Sequence, residues 1–412
     1  MIRYSLFCSF VICCVLSGDV VSPVPADEGA STKQNSDVVL KDEKPPYQIK
    51  EIPGVRKEVL LPPGPGNPRN SEGDFIELRD GRVLFIYTHF TDGSSDHASA
   101  HLAGRYSSDG GLTWSKEDTI ILSNEGRFNI MSVSLLRLSA RDIALFYIRK
   151  NSHTDCRPLM RVSRDEARTW GEAVEVITDQ IGYYVLNNDR VIKLKSGRLI
   201  CPVALHHLPE YEKPDWQGVL MCYVSDDLGK TWRRNQSELR GARPDGSRVT
   251  LQEPGVIELL EGRLMMWART DQGCQYLSWS NDQGETWTQP IPSSIQSPQS
   301  PATIEHLPGR SDLLMAWNDH TSIPESLKGR RTPFNVAVSH DEGNTWTKSL
   351  VLEDDPNGWY CYTAMDFVGD RVLLGHCAGD RRNGGLNSTQ ITSFDVTWLY
   401  DALGKNQHEN LK

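Results

Sequence analysis

One eight-residue pattern recurs five times along the 412 residues and limits what this chain can fold into. It reads Ser-x-Asp-x-Gly-x-Thr-Trp and begins at Ser107, Ser163, Ser225, Ser280 and Ser339, with spacings of 56, 62, 55 and 59 residues. A single copy would carry little, because Asp/Gly turns are common. Five copies at near-constant spacing define one structural unit repeated in tandem. The pattern has the chemistry of a tight turn. The Ser and Asp side chains accept bonds from backbone N–H groups within the loop. The Gly takes a positive φ, and the Trp folds back under the turn and covers apolar surface. In the second copy Ala167 stands where the others have Gly. A left-handed Ala costs about 1 kcal/mol, so that turn is expected to be distorted. The turn itself accounts for the five Asp residues, and no catalytic role is assigned to them.

Between the turns lie short, β-branched apolar runs of strand length, four to a period. The first period has Phe75 to Leu78, Val83 to Tyr87, His101 to Ser107 and Thr119 to Leu122; the same order restarts at Ile130, Asp189, Gln252 and Thr303. After the last turn only three runs remain: Tyr362 to Val368, Val372 to Cys377 and Gln390 to Trp398. Val55 to Leu61 is free to supply the fourth. The count predicts an all-β fold, a six-bladed β-propeller closed by its own N-terminal strand. It spans residues 49–402, with a C-terminal tail at 403–412 and no long helix. A β-sandwich with a linker would leave the repeat unexplained.

The N-terminus reads as an export signal. Arg3 precedes an apolar run from Leu6 to Leu16, too short to cross a bilayer, and Val24-Pro25-Ala26 offers a cleavage site. Residues 1–26 are therefore expected to be a signal peptide, and the polar stretch 27–48 a disordered leader. A secreted or periplasmic protein follows, with no membrane insertion. With 54 acidic and 44 basic residues the net charge is -10, which argues against nucleic-acid binding and against an anionic membrane surface. A local cluster of Arg can still hold a small anion. Six cysteines follow the signal: Cys156, Cys201, Cys222, Cys274, Cys361 and Cys377. They form no CxxC pair, so no metal centre is expected. Export would allow disulfides, whose pairing the sequence does not determine. Gly229-Lys230-Thr231 imitates the end of a phosphate loop, but Val224 occupies the place of the leading Gly.

Strands that run alternately up and down bring certain positions to one end. These are the starts of inner strands, the ends of second strands, the loops that follow, and the starts of third strands; the repeated turns lie at the other end. Six chemistry-bearing residues then gather: Arg69, Asp96, Glu253, Arg269, Arg331 and Tyr362. His206-His207 ends a second strand on the same side. Asn187-Asn188-Asp189-Arg190 starts an inner strand there, either to line a pocket or to satisfy backbone groups.

The five turns resemble the Asp boxes of sialidases and related BNR-repeat proteins, over residues from about 55 to 400. Gln252-Glu253-Pro254-Gly255, followed by Met266-Trp267-Ala268-Arg269, is similar to the family's Glu–strand–Arg arrangement. Arg331, eight residues before Ser339, stands where the family has its third Arg, with Arg330 adjacent. Tyr362, in Trp359-Tyr360-Cys361-Tyr362, resembles the family's nucleophile, with Tyr360 as the other candidate. Asp96-His97-Ala98 resembles the acid/base loop. Arg69 falls at the first Arg, although Arg69-Asn70-Ser71 departs from the family's Arg-Ile-Pro.

The resemblance implies an exported exo-α-sialidase that needs no cofactor. Asp96, Glu253 and Tyr362 would be catalytic, and Arg69, Arg269 and Arg331 would bind a sialylated or other anionic glycan. The chemistry fits those residue types. Guanidinium groups grip a carboxylate through paired hydrogen bonds. A carboxylate nucleophile would be repelled by that anion, whereas a neutral tyrosine hydroxyl with a Glu base is not. Two other readings remain: a hydrolase for a different 2-ulosonic acid, and a non-catalytic propeller that binds glycans.

Overall fold

Branched and aromatic side chains suit a pleated, buried surface, and in the computed structural model, which describes residues 48–409, the apolar runs pair as antiparallel strands. The expected signal peptide, 1–26, and all of the 27–48 leader except Gln48 lie outside the described residues. The first sheet orders Arg69–Glu77, Val83–Phe90, Ala100–Ser107 and Thr119–Leu122 as neighbours. The fourth repeats this with Gln252–Glu258, Leu264–Arg269, Cys274–Ser280 and Ile291–Gln296, and the fifth with four strands between Thr303 and Glu353. In the last sheet Gly358–Val368, Arg371–Asp380 and Thr389–Asp395 are completed by Val55–Leu61, which pairs with Thr389–Asp395 as the strand count requires.

The second and third repeats depart from this pattern. They join into one nine-stranded sheet through a parallel bridge between Tyr183 and Cys156. The expected inner strand from Asp189 is reduced to Ile192–Lys193. The preceding residues are committed elsewhere: Asn188 Nδ2 donates to the Gly73 and Tyr362 carbonyls, and Arg190 Nη2 donates to the Ala302 carbonyl.

Apolar cores lie between successive sheets. Leu84 and Leu102 of the first meet Leu145 and Tyr147 of the second. Val256 and Met266 of the fourth meet Ile200 and Val224 of the third. Leu373 and Ile391 of the last meet Phe75 and Phe85 of the first. The inner strand Arg69–Glu77 packs on Asn129–Arg137 and on Gly358–Val368, and Thr303–His306 packs on Gln252–Glu258 and on Gly358–Val368.

Register separates the two ends of each sheet. Arg69 pairs with Phe90 and Phe90 with Ala100, whereas Glu77 pairs with Val83 and Val83 with Ser107. Eight residues at about 3.3 Å each place the first repeated turn roughly 25 Å from Arg69. Each turn closes in the expected way. Ser107 Oγ accepts from Gly111 N at 2.8 Å, and Asp109 Oδ1 accepts from Thr113 N at 2.8 Å. The second turn is not distorted, contrary to expectation. Ala167 adopts φ 62°, its N–H donates to Ser163 Oγ at 2.9 Å, and Thr169 N reaches Asp165 Oδ1 at 2.9 Å. Four good bonds hold the loop, so the left-handed Ala is absorbed locally.

The chain also ends differently from expectation. It leaves the last sheet at Asp395 rather than Trp398 and forms a helix, Val396–Glu409, across the boundary drawn between the domain and a tail. Val396, Leu399 and Leu403 recur on one helical face. All three are buried against the core between the fifth and last sheets.

The Trp of the fourth turn, Trp287, is buried, and its Nε1 donates to the Gly284 carbonyl at 3.1 Å. Trp287→Ala is expected to destabilise the fold by about 3–5 kcal/mol in urea titrations. The half-buried Trp232 of the third turn should cost less.

Candidate active site

Four inner strands begin with the same backbone irregularity. The register slips between Ser71 and Asp74, Met131 and Ser134, Gln252 and Gly255, and Cys361 and Ala364. Within these bulges Glu72, Ser132, Glu253 and Tyr362 all take a left-handed φ, between 51° and 62°. Such a conformation is uncommon for residues with large side chains and is retained where the surroundings over-determine it. A bulge re-aims its side chain relative to the regular alternation. Here all four re-aimed side chains line one cavity of about 170 Å³. Gly255 permits the bulge in the fourth sheet, since a Cβ there would meet the Trp267 ring at 2.2 Å.

Glu253 and Tyr362 come from strands 109 positions apart and meet in this cavity. The Tyr362 hydroxyl donates to Glu253 Oε1 at 3.3 Å. Arg269 ends the neighbouring strand, opposite Gln252 in register. Its Nη1 lies 3.0 Å from Glu253 Oε2, an ion pair without hydrogen-bond alignment, while its Nε and Nη2 donate to Gln252 Oε1. Glu253 thus bridges a hydroxyl and a guanidinium. Burial, and then the Glu253 charge, push the Tyr362 hydroxyl above its ordinary pKa, against the opposing pull of Arg331 and Arg269. It is a neutral O–H near pH 7.

Arg331 stands beside this pair, with its guanidinium 5.2 Å from the Tyr362 ring centre and Nη1 3.0 Å from Cys361 Sγ. Arg330 instead donates to the Pro356 carbonyl. Tyr360, the other nucleophile candidate, is fully buried between Phe334 and His376. Two residues along a regular strand would face the same way; the bulge after Cys361 breaks that equivalence.

Arg69 and Asp96 are together but arranged unexpectedly. Arg69 is 1% exposed and does not line the cavity. Asp96 does, and its Oδ1 accepts from Arg69 Nη1 at 2.5 Å. Burial acts to raise the Asp96 carboxyl, but the Arg69 and Lys150 charges and the Arg69 hydrogen bond outweigh it and bring it to about 2. The Asp96 side chain is nevertheless 57% exposed, so solvent screens this pair.

The cavity also holds groups that the sequence reading did not select. Glu72 accepts from Arg69 Nη2 at 2.8 Å and from Ser132 Oγ at 2.5 Å. Burial is the main cause that raises its carboxyl above the usual range, against Arg69. Lys150, near the end of a second strand, is buried with Nζ 3.0 Å from the Asp96 carbonyl. The strand-end rule that selects Arg269 would have found it. Trp216 is exposed at the cavity wall beside Tyr183 and His206. His206 lines the cavity, whereas His207 uses both ring nitrogens on the His153 and Tyr211 carbonyls. Asn187 lines it too, and Asn188 satisfies backbone, so both readings of that segment apply.

A larger cavity, about 520 Å³, opens beside Trp317 and Trp346. Its one carboxylate, Asp319, accepts from Ser349 Oγ. It has no second carboxylate and no tyrosine, whereas the smaller cavity gathers three carboxylates, the Tyr362 hydroxyl, Lys150 and Arg269, so the smaller one is the candidate site.

Bulged inner strands of an all-β repeat thus bring the Tyr362 hydroxyl and the Glu72 and Glu253 carboxylates to one cavity, where Asp96 joins them from a loop and Lys150 and Arg269 from second strands. Residues 129–373 match the BNR repeat-like domain family and residues 105–116 the BNR/Asp-box repeat; the chain belongs to this sialidase-related BNR repeat family. It is similar to a sialidase of Bacteroides fragilis (strain YCH46), with 25% identity over 221 residues, 52% of this chain and 37% of that protein. It is also similar to an anhydrosialidase of Macrobdella decora, with 22% identity over 347 residues, 74% of this chain and 42% of that protein. The chain therefore spans about two fifths of the length of these curated relatives. Trypanosoma rangeli sialidase in complex with the inhibitor DANA superposes with a TM-score of 0.65 at 15% identity, over 87% of this chain and 62% of that one. That likeness is one of fold.

The depressed Asp96 pKa has a consequence for stability. A carboxyl with a folded-state pKa near 2 and an unfolded value of about 3.9 stabilises the fold above about pH 4, and this contribution fades as the pH falls through 2. Asp96→Asn should therefore lower the melting temperature at pH 6 and lose most of that difference by pH 2. Because the side chain is largely exposed, the difference should not exceed about 1 kcal/mol. A pH-independent difference would deny the ion pair this role.

Proposed function

We propose that this protein is an exported exo-α-sialidase, a retaining glycoside hydrolase that releases terminal sialic acid from glycoconjugates. The observation that carries this reading is the Tyr362–Glu253–Arg269 bridge, in which two of the three groups sit on left-handed bulges. In the same reading the sheets are the blades of a six-bladed propeller with Asp-box turns. The cores between successive sheets, including last against first, support that architecture. The apolar run at Leu6–Leu16 and the Val24-Pro25-Ala26 site support export.

The chemistry proceeds in two displacements. The substrate carboxylate lies among Arg269, Arg331 and Arg69. Tyr362 Oη attacks the anomeric carbon while its proton passes to Glu253 Oε1. The glycosidic C–O bond breaks, and Asp96 gives its proton to the leaving oxygen. Asp96 then takes a proton from water, which attacks the same carbon. The Tyr–C bond breaks, and Glu253 returns its proton to Tyr362. Two inversions give net retention. A second reading, hydrolysis of another 2-ulosonic acid, is favoured by one observation: Asp96 covers Arg69, so the clamp differs from three open guanidiniums.

A fluorogenic sialoside assay tests the proposal. Wild type should hydrolyse the substrate. Tyr362→Phe should lower kcat by about a hundredfold or more with little change in KM, the signature of an interaction made on the way to the transition state. Activity only on other ulosonides would favour the second reading. Binding of sialoglycans without turnover would leave a glycan-binding propeller.

A further inference from the structure

We propose that Asp96 is a resident anion on Arg69, and that a substrate carboxylate exchanges with it there and frees Asp96 to face the leaving oxygen. This rests on the reading of Asp96 as the acid of the proposed hydrolysis.

All three nitrogens of Arg69 are occupied. Nε donates to Ser71 Oγ at 3.1 Å and Nη2 to Glu72 Oε1 at 2.8 Å. Nη1 donates to the Ser94 carbonyl at 3.2 Å and to Asp96 Oδ1 at 2.5 Å. The guanidinium carbon lies 4.4 Å from the centre of the Phe90 ring. Ser71 and Glu72 belong to the same strand as Arg69, and Ser94 contributes backbone. Asp96 is the one side-chain partner supplied by a loop and largely exposed. It is also the partner that reaches both Arg69 and the cavity without sharing the Arg69 strand.

The backbone under Asp96 is fixed. Lys150 Nζ and Asn129 Nδ2 both donate to its carbonyl at 3.0 Å, and Asn129 also donates to the Ala98 carbonyl at 2.7 Å. The exchange is therefore a side-chain rotation about a held main chain rather than an opening of the loop.

Charge makes the exchange cooperative with proton uptake. Arg69 and Glu72 of the first sheet, Lys150 and Cys156 of the second, Tyr183 of the third and His97 of the loop itself surround Asp96. Arg69 already faces two carboxylates. A third would stand beside Asp96 on a single guanidinium nitrogen, and two adjacent like charges disfavour joint ionisation. Once the substrate takes Nη1, Asp96 loses the contact that holds its carboxyl low and gains an anionic neighbour. It then accepts a proton from solvent, the proton that the leaving oxygen requires. The acid would be armed by the substrate it acts upon.

The test is calorimetric titration of DANA, a dehydrated sialic acid analogue that keeps the carboxylate, at pH 5 in two buffers of different ionisation enthalpy. Wild type should take up protons on binding, and Asp96→Asn should not. Asp96→Ala, which removes the competitor, should bind at least threefold more tightly although turnover is lost. Proton-neutral binding by a wild type that still hydrolyses sialosides would overturn the exchange and leave the hydrolase reading intact. So would unchanged or weaker binding by Asp96→Ala with a native melting transition. Neither binding nor hydrolysis by wild type would overturn the hydrolase reading, and the exchange with it.

Discussion

At the start of each of four inner strands the backbone takes one left-handed residue, and the candidate site is built from those residues. In a regular strand, neighbouring side chains point to opposite faces and belong to the sheet interfaces. The bulge interrupts that alternation at one position and delivers Glu72, Ser132, Glu253 and Tyr362 to a common cavity. Four strained residues, each costing of order 1–3 kcal/mol, are tolerable because the sheets around them are extensively buried. The apolar interfaces and the polar centre are thus coupled: the first holds the second in a conformation that it would not adopt alone.

The repeated turns and the candidate site occupy different ends of the strands. The repeated turns use Ser, Asp and Thr to close the connection between third and fourth strands, with the Ser Oγ and Asp Oδ1 bonds repeated in all five copies, while the Trp indole bonds the turn in three of them. Strand register places the first of them at the opposite end from Arg69 and Phe90. At the cavity end, Ser71 and Glu72 are partners of Arg69 within its own strand, and neither bond involves a repeated turn.

What was legible in the sequence follows from which signals are periodic. Val55–Leu61 and Thr119–Leu122 were readable to the residue because apolar runs ended by turn residues bound them on both sides. Glu253, Arg269 and Tyr362 were found because strand order fixes which ends meet, and the structure brings those three together. Glu72 is a different case. Its sequence neighbourhood looks like ordinary strand, and what makes it notable is burial and a bond to Ser132, 60 residues away; Lys150, by contrast, stands near a second-strand end, where the rule that selects Arg269 applies. The C-terminal helix was missed because its apolar face, Val396, Leu399 and Leu403, continues a strand-like run and overlaps it. Ala167 shows the limit of propensity: a residue disfavoured at positive φ is held there by four bonds that no single-residue scale includes.

In the proposed reaction Tyr362, re-aimed by its bulge and bonded to Glu253, is the attacking group. The most direct measurement is mass spectrometry of peptides after incubation with a 2,3-difluorinated sialic acid, which forms the glycosyl–enzyme bond but slows its hydrolysis. One adduct on the peptide carrying Tyr362, localised to that residue and absent from Tyr362→Phe, is the predicted result. An adduct on Tyr360, Glu253 or Asp96 would contradict it, as would turnover of the reagent with no covalent adduct.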